Sequence, residues 1–298
     1  MKAWLLAARP KTLAGAAVPV MIGLSMAYST LSTQHLPFQV FPAVLCLLFA
    51  FIMQIDANFI NDLFDYLKGT DDRATRLGPE RACAQGWVSV GAMRRAILMT
   101  TLVACLVGLP LVFYGGWPMV VVGLCCVVFC FLYTTHLSYL GLGDVLVLVF
   151  FGLVPVSVTY YLQTQTLTAS VIVASLACGL VVDALLLVNN FRDRDTDSQA
   201  GKRTLVVLVG PRTTLAIYLG VGVVACLTGL VFAFDGHWLA FLLPFIYLLL
   251  HVGTWRRMCR VWQGRALNAC LGETARNIFV YGLTLSLGFL NQIQLSLI

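Results

Sequence analysis

The feature that most constrains this chain is a series of apolar runs, each about 20 residues long, that recurs from near residue 12 to the C-terminus. A helix of that length crosses the ~30 Å hydrocarbon core of a bilayer. A transmembrane β-barrel would instead alternate apolar and polar side chains in short strands. A lone signal peptide would supply a single run near the N-terminus. Charged residues make up 11% of the 298 and hydrophobic ones 60%, whereas a soluble domain carries about 25% charged residues. The runs predict helices near 12–31, 38–60, 93–113, 117–137, 144–163, 168–190, 212–234, 237–255 and 277–296. The expected fold is an all-α integral membrane protein of about nine transmembrane helices, one polytopic domain over residues 1–298.

Placing the basic residues on this scheme fixes an orientation. Lys2, Arg9 and Lys11 precede the first helix, and Lys68, Arg73, Arg76, Arg81, Arg94 and Arg95 lie around the second connection. Arg192, Arg194, Lys202, Arg203 and Arg212 lie between helices six and seven, and Arg256, Arg257, Arg260, Arg265 and Arg276 between eight and nine. All 19 basic residues then share one side, which the positive-inside rule makes cytosolic. The expected location is a bacterial inner (cytoplasmic) membrane, with the N-terminus in the cytosol and the C-terminus outside. Acids are mixed with the basic residues in the same loops, so the net charge of +6 describes neither a nucleic-acid surface nor a polybasic lipid-binding segment. The ten cysteines show no CxxC or Cys/His metal spacing, and those inside apolar runs read as small hydrophobes.

Two polar clusters interrupt this apolar chain. The first reads Asn58-Phe-Ile-Asn61-Asp62-Leu-Phe-Asp65-Tyr66-Leu-Lys68-Gly69-Thr-Asp71, and the second Asn189-Asn190-Phe-Arg192-Asp193-Arg-Asp195-Thr-Asp197, followed by Gly201-Lys202-Arg203. Spacings of three and four put Asn58, Asn61, Asp62 and Asp65 on one helical face, and Asn189, Asp193 and Asp197 on another. Carboxylates gathered on one face repel each other. Two such faces at one membrane depth need a common counter-charge; solvated helix ends are the plain alternative. Mg²⁺ fits, being a hard cation that binds one or two carboxylates together with substrate phosphates. Lys68, Arg73, Arg76, Arg81, Lys202 and Arg203 are placed to neutralise a diphosphate. No P-loop, HExxH or GxSxG offers a competing site.

At these residues the chain resembles the UbiA-type membrane prenyltransferases, and within them the menaquinone-pathway branch. The matching stretches are Ala8-Arg9-Pro10-Lys11-Thr12-Leu13, Asn58 to Asp71, Arg76-Leu77-Gly78-Pro79 with Arg81 and Gln85-Gly86, Gly141-Leu142-Gly143-Asp144, Thr159 to Thr164, and Asn189-Asn190 through Thr204. They extend over roughly residues 8 to 212. The resemblance implies a helical bundle around a central cavity, two Asp-rich motifs that hold Mg²⁺ and a polyprenyl diphosphate, and a prenyl tail lying between helices toward lipid. It implies metal-binding and catalytic roles for Asn61, Asp65, Asp193 and Asp197. Asn58, Asp62, Lys68, Asp71, Arg76, Arg81, Tyr133, Asn190, Lys202 and Arg203 are the expected substrate contacts. Many family members carry a further Asp where this chain has Gly69, the nearest acid being Asp71, and the Gly-x-Asp form resembles the menaquinone branch. The Lys or Arg often found after helix four is missing from Tyr133-Thr-Thr135-His136-Leu-Ser138-Tyr139.

The implied reaction is attack of an electron-rich dihydroxynaphthoate-like ring on an allylic carbon as diphosphate leaves, with loss of CO₂ giving demethylmenaquinone. Phe64, Tyr66, Tyr133, Tyr160 and Tyr161 are the aromatic candidates for shielding a developing carbocation. The alternatives are a UbiA-type enzyme with another acceptor, such as a 4-hydroxybenzoate or haem, and a secondary transporter, whose polar residues would lie near the midplane. A CDP-alcohol phosphotransferase would require a DG-x-x-AR element absent here. No protein partner is called for. Asp56, Asp144 and Asp183 lie in or beside apolar runs with no role assigned by the pattern, and intramembrane carboxylates usually face a cavity.

Overall fold

A computed structural model describes residues 2–69 and 76–295. Long helices dominate them: α1 (Leu13–Thr33), α2 (Val40–Leu67), α3 (Val90–Gly115), α4 (Pro118–Thr135), α5 (Gly143–Thr164), α6 (Ala169–Gln199), α7 (Pro211–Phe234) and α8 (Trp238–Val261), all eight long and apolar enough to cross a membrane. The ninth expected span falls in α9 (Leu267–Leu295), of 29 residues. That helix carries Glu273, Arg276 and Asn277 in its first half. The expected number of spans is therefore close, with eight meeting the criterion among the described residues. The protein is a multi-pass integral membrane protein.

Local sequence accounts for the helix boundaries. Thr168 caps α6 by accepting from Val171 N, and Ser89 caps α3 by accepting from Ala92 N. Pro118 and Pro211 occupy the first turns of α4 and α7, where the missing N–H costs nothing. Inside α5 the chain opens into a π-helical turn over Val149–Leu153, just before Pro155. An α-helical Pro155 would clash with the Phe151 carbonyl, and the wider turn relieves that clash.

The helices form a bundle in which α1 and α6 are central, with 61% and 67% of their apolar stretches buried, while α4 is peripheral at 6%. α1 packs on α2, α5 and α9, and α6 packs on α5, α7 and α9. Lipid tails are as apolar as leucine, so van der Waals fit rather than hydrophobic burial holds such helices together. The closest approach is at small residues. A Cβ on Gly152 would stand 2.5 Å from Ser175 O and 2.8 Å from Gly179 Cα, so the α5 and α6 backbones touch there. Polar side chains add interhelical bonds. Thr101 donates to Asp56 at 2.8 Å, and Thr100 also donates to this carboxylate, which gives the intramembrane Asp56 a structural role between α2 and α3.

We expect Gly179→Ala to destabilise the bundle by about 1–3 kcal/mol, the usual range for overpacking. Gly220→Ala, with open space around it, is the control. Thermal unfolding in detergent checks both, with a lowered midpoint for the first and none for the second.

Candidate active site

A cavity of about 1030 Å³ runs between α1, α2, α4, α5 and α6. Its long part is lined by apolar side chains such as Phe49, Met53, Phe129, Phe150 and Phe151, and its polar end lies where α2 and α6 finish. Helix α2 does continue through its polar cluster, to Leu67, but the cluster divides along the two edges of the stripe. Asn61 and Asp65 line the cavity. Asn58 and Asp62 are turned away from it and brace the walls. Asn58 Nδ2 donates to Ala8 O at 2.9 Å and to Thr12 Oγ1 at 3.0 Å, tying the segment that carries Arg9. Asp62 accepts from Ala82 N at 2.8 Å and Cys83 N at 2.9 Å, anchoring the turn that carries Arg81. These two expected substrate contacts are corrected accordingly: both are buried and their polar atoms are occupied by backbone or wall groups.

On α6, Asn189, Asn190, Asp193 and Asp197 all line the cavity. They are organised by Arg192, whose side chain is 1% exposed. Its Nε donates to Asp193 Oδ1 at 2.7 Å, Nη1 to Asn268 Oδ1 at 2.8 Å and Nη2 to Asn189 Oδ1 at 2.8 Å. Asn268 in turn donates to Leu77 O at 2.9 Å, drawing the 76–79 segment over the site. Gly78 is required there, since a Cβ would stand 2.6 Å from Arg192 Nη2.

Four cations reach the polar end: Arg9, Arg76, Arg81 and Lys202. Arg81 Nη2 lies 3.4 Å from Asp65, and Lys202 Nζ lies 3.5 Å from Asp197. Burial alone would lower the Lys202 pKa, but Asp65, Asp197 and Tyr139 outweigh it and hold the ammonium above its ordinary value. Burial depresses Arg76 to about 10, with neighbouring Arg9 adding to the effect. Arg9 is likewise lowered by burial, against the pull of Asp62 and Asp65, and its Nη2 is buried with no hydrogen-bond partner. A buried guanidinium donor at a cavity wall is a ready contact for an anion. Arg9 sits in a left-handed backbone conformation, φ 50°, between the short helix Lys2–Ala8 and α1. Arg9, Arg192 and Asn268 are absent from the expected site. For Arg9 the available signal was its place in the Arg9-Pro10-Lys11 stretch; a single Asn at the start of the last helix carries none.

Several other expectations shift. Lys68 is off the cavity: its Nζ donates to Thr134 O at 3.2 Å and Thr135 O at 2.6 Å, satisfying carbonyls at the end of α4, and lies 3.9 Å over the Tyr139 ring. Arg203 is exposed and outside the cavity lining, because the chain turns after Lys202 and Arg203 N bonds to Tyr139 O. Asp71 and Arg73 lie outside the described residues. Of the five aromatic candidates only Tyr133 lines the cavity; Phe64 packs against a buried cluster, Tyr66 is exposed, and Tyr160 is buried with its hydroxyl bonded to Thr30. Phe49, Phe129, Phe150 and Phe151 line the cavity as well. Their spans read as plain apolar sequence.

The donors at the polar end are all oxygens: Asn61, Asp65, Asn189, Asn190, Asp193 and Asp197. That chemistry fits a hard divalent cation. Among the described residues no three acidic, His or Cys side chains converge tightly enough to form a closed metal cage. An open oxygen set of this kind suits an ion whose shell is completed by phosphate oxygens and water. Asp65, Asp193 and Asp197 meanwhile rest on Arg81, Arg192 and Lys202.

A membrane-embedded helical bundle, with an apolar chamber ending in facing acid- and cation-bearing helix ends, defines a class of protein built to receive an amphiphile with an anionic head. The chain belongs to the UbiA prenyltransferase family, whose model matches residues 16–271. It is 37% identical over 218 residues to the 1,4-dihydroxy-2-naphthoate octaprenyltransferase of Escherichia coli (strain K12), covering 70% of this chain and 69% of that protein. It is 34% identical to the protein of the same name from Haemophilus influenzae, covering 70% of each. The fold is shared with a UbiA homolog from Archaeoglobus fulgidus bound to GPP and Mg²⁺, with a TM-score of 0.67 at 12% identity over 95% of this chain and 99% of that one.

The two basic residues separate cleanly in a test. Arg9→Gln is expected to raise the KM for an anionic diphosphate substrate at least about tenfold, the worth of one charge-assisted contact. Arg203→Gln is expected to stay within about threefold of wild type, as an exposed site outside the cavity does. Steady-state kinetics at matched protein levels check both.

Proposed function

We propose that the protein transfers a polyprenyl group from an allylic diphosphate to 1,4-dihydroxy-2-naphthoate, with loss of CO₂, giving the quinol form of demethylmenaquinone. The observation that carries this reading is the junction of chamber and rim: an apolar cavity closed at one end by Asn61, Asp65, Asp193 and Asp197 facing Arg9, Arg76, Arg81 and Lys202. The naphthoate acceptor is supported by the names of the bacterial relatives.

In this reading the diphosphate sits among the four cations, with the Arg9 Nη2 donor free to meet a phosphate oxygen. Asn61, Asp65, Asp193 and Asp197 would hold Mg²⁺, which stabilises negative charge on the departing diphosphate. The allylic C–O bond breaks with its electron pair leaving on the diphosphate oxygen. The electron-rich ring supplies the pair for the new C–C bond, and CO₂ departs from the attacked carbon. Phe49, Phe129, Phe150 and Phe151 present aromatic faces and exclude water from the allylic cation. The prenyl tail occupies the apolar chamber. The one-sided basic residues support a reading in which this rim faces the cytosol, at a bacterial inner membrane.

Purified protein given a radiolabelled polyprenyl diphosphate is expected to label 1,4-dihydroxy-2-naphthoate and not 4-hydroxybenzoate, and to stop in excess EDTA until Mg²⁺ is returned. Full turnover in EDTA overturns the metal assignment, and preference for the benzoate overturns the acceptor. Asp65→Asn and Asp193→Asn should insert normally and lose at least about a hundredfold in turnover, as when one preorganised electrostatic contact is removed. Cysteine labelling of intact cells tests the orientation: positions 61–95 and 192–212 should be reached only after permeabilisation.

A further inference from the structure

The cavity wall holds a second polar feature, away from the cations. Asp144 opens α5 and lines the cavity. Asp183, on the facing stretch of α6, is 5% exposed and within electrostatic reach of Asp144. The Oδ1 atoms of both are buried and have no hydrogen-bond partner. Tyr133 on α4 stands beside them. A Cβ on Gly143 would lie 3.9 Å from its hydroxyl, and Tyr133 feels the charges of Asp144 and Asp183 together with those of Asp65 and Asp197. It is thus within electrostatic reach of both this pair and the metal-type carboxylates.

Buried acceptor oxygens without donors are costly, and a carboxylate in an apolar wall usually faces a polar ligand or a cavity. Asp56, the intramembrane acid of α2, has both its oxygens satisfied by threonines. The Asp144–Asp183 pair has none for the atoms named, and Asp144, which lines the cavity, is placed to receive a donor hydrogen from it. A diphosphate brings only acceptor oxygens. A hydroxyl-bearing aromatic ring brings O–H donors.

We infer that Asp144, positioned by Asp183 and flanked by Tyr133, binds a ring hydroxyl of the aromatic acceptor and holds its proton during transfer. The inference rests on the prenyl-transfer reading above. As the ring attacks, the hydroxyl proton passes to an Asp144 carboxylate oxygen and the O–H pair becomes the π bond of a ring carbonyl. The ring's π pair forms the bond to the allylic carbon, and the C–O pair departs with diphosphate. When CO₂ leaves, its C–C pair returns to the ring, and the carbonyl oxygen takes the proton back from Asp144. The carboxylate is regenerated and no co-reactant is consumed. The titratable group facing the pair from a packed element is Tyr133 of α4, which is itself within electrostatic reach of Asp65 and Asp197.

The test measures Asp144→Asn, Asp144→Glu and Asp183→Asn with polyprenyl diphosphate and 1,4-dihydroxy-2-naphthoate across pH. Asp144→Asn is expected to keep the donor KM and lose at least about a hundredfold in kcat at neutral pH, the usual contribution of a positioned base. Because phenolic hydroxyls ionise near pH ~10, its rate should climb relative to wild type as pH approaches that value, the acceptor then needing no proton removed. Asp144→Glu should retain most of the neutral-pH activity that Asp144→Asn loses. Asp183→Asn should raise the acceptor KM and shift the pH profile without altering the donor KM. Near-wild-type kcat in Asp144→Asn at neutral pH overturns the inference, as does a loss that high pH leaves unrelieved. If Asp144→Asn does not accumulate, an Asp183→Asn profile coincident with wild type overturns it equally. Wild-type protein that fails to prenylate the naphthoate at all rejects the function itself, a result distinct from a variant that matches an active wild type.

Discussion

The site depends on one buried guanidinium. Arg192 lies near the end of α6, nearly out of contact with solvent, and makes four hydrogen bonds shared among Asp193, Asn189 and Asn268. Removing one partner of such a buried charge commonly costs about 3–5 kcal/mol, because the other is left uncompensated. Here the loss would reach beyond stability. Asn268 brings in the start of α9 and, through Leu77 O, the segment carrying Arg76. The same arginine orients Asp193 and Asn189 on the cavity wall. One residue thus sets the relative position of the second acid motif, the last helix and a cation-bearing loop.

The first acid motif shows the same logic with its parts reversed. On α2 the residues that face the cavity, Asn61 and Asp65, alternate with two that face the wall. Asn58 holds the chain before Arg9 and Asp62 holds the turn after Arg81. Two cations of the rim that come from loops, Arg9 and Arg81, are therefore tied to a helix by polar residues of the same stripe. Loops are mobile unless anchored. These anchors let flexible segments present guanidinium groups with the precision that electrostatic stabilisation of a leaving group requires.

Much of this was legible in the sequence, and what was not has a physical cause. The spans, the one-sided charge and the two Asn/Asp clusters follow from lengths and spacings that lipid imposes on any helix. Spacing also placed Asn58 and Asp62 on the stripe of Asn61 and Asp65, as they are. It could not say which edge of the stripe meets the cavity, because that is decided by what α2 packs against: the N-terminal segment on one side and α4 on the other. Lys68 and Arg203 illustrate the same gap. Both follow an acid cluster directly, yet one serves the α4 carbonyls and the other points outward. Of the cavity's aromatic residues Tyr133 is legible, but Phe49, Phe129, Phe150 and Phe151 sit in uniformly apolar runs, where no residue announces which face is cavity and which is lipid.

The π-helical turn in α5 links these levels. Pro155 forces the wider turn, and the wider turn brings Gly152 onto the α6 backbone at Ser175 and Gly179. That contact fixes α5 against the helix bearing Asp183, Asn189 and Asp193, while Phe150 and Phe151 of the same turn line the cavity. A regular helix through this point would rotate everything beyond it by a fraction of a turn. Asp144 at the start of α5 and the aromatic wall would then no longer address the same chamber. The backbone irregularity is thus part of the site: it lets one helix contribute a carboxylate at the polar end, two aromatic faces in the chamber and a tight seam to α6. Water excluded by that seam and those rings is what keeps the rim electrostatics strong, since the interaction of fixed charges grows as local polarity falls.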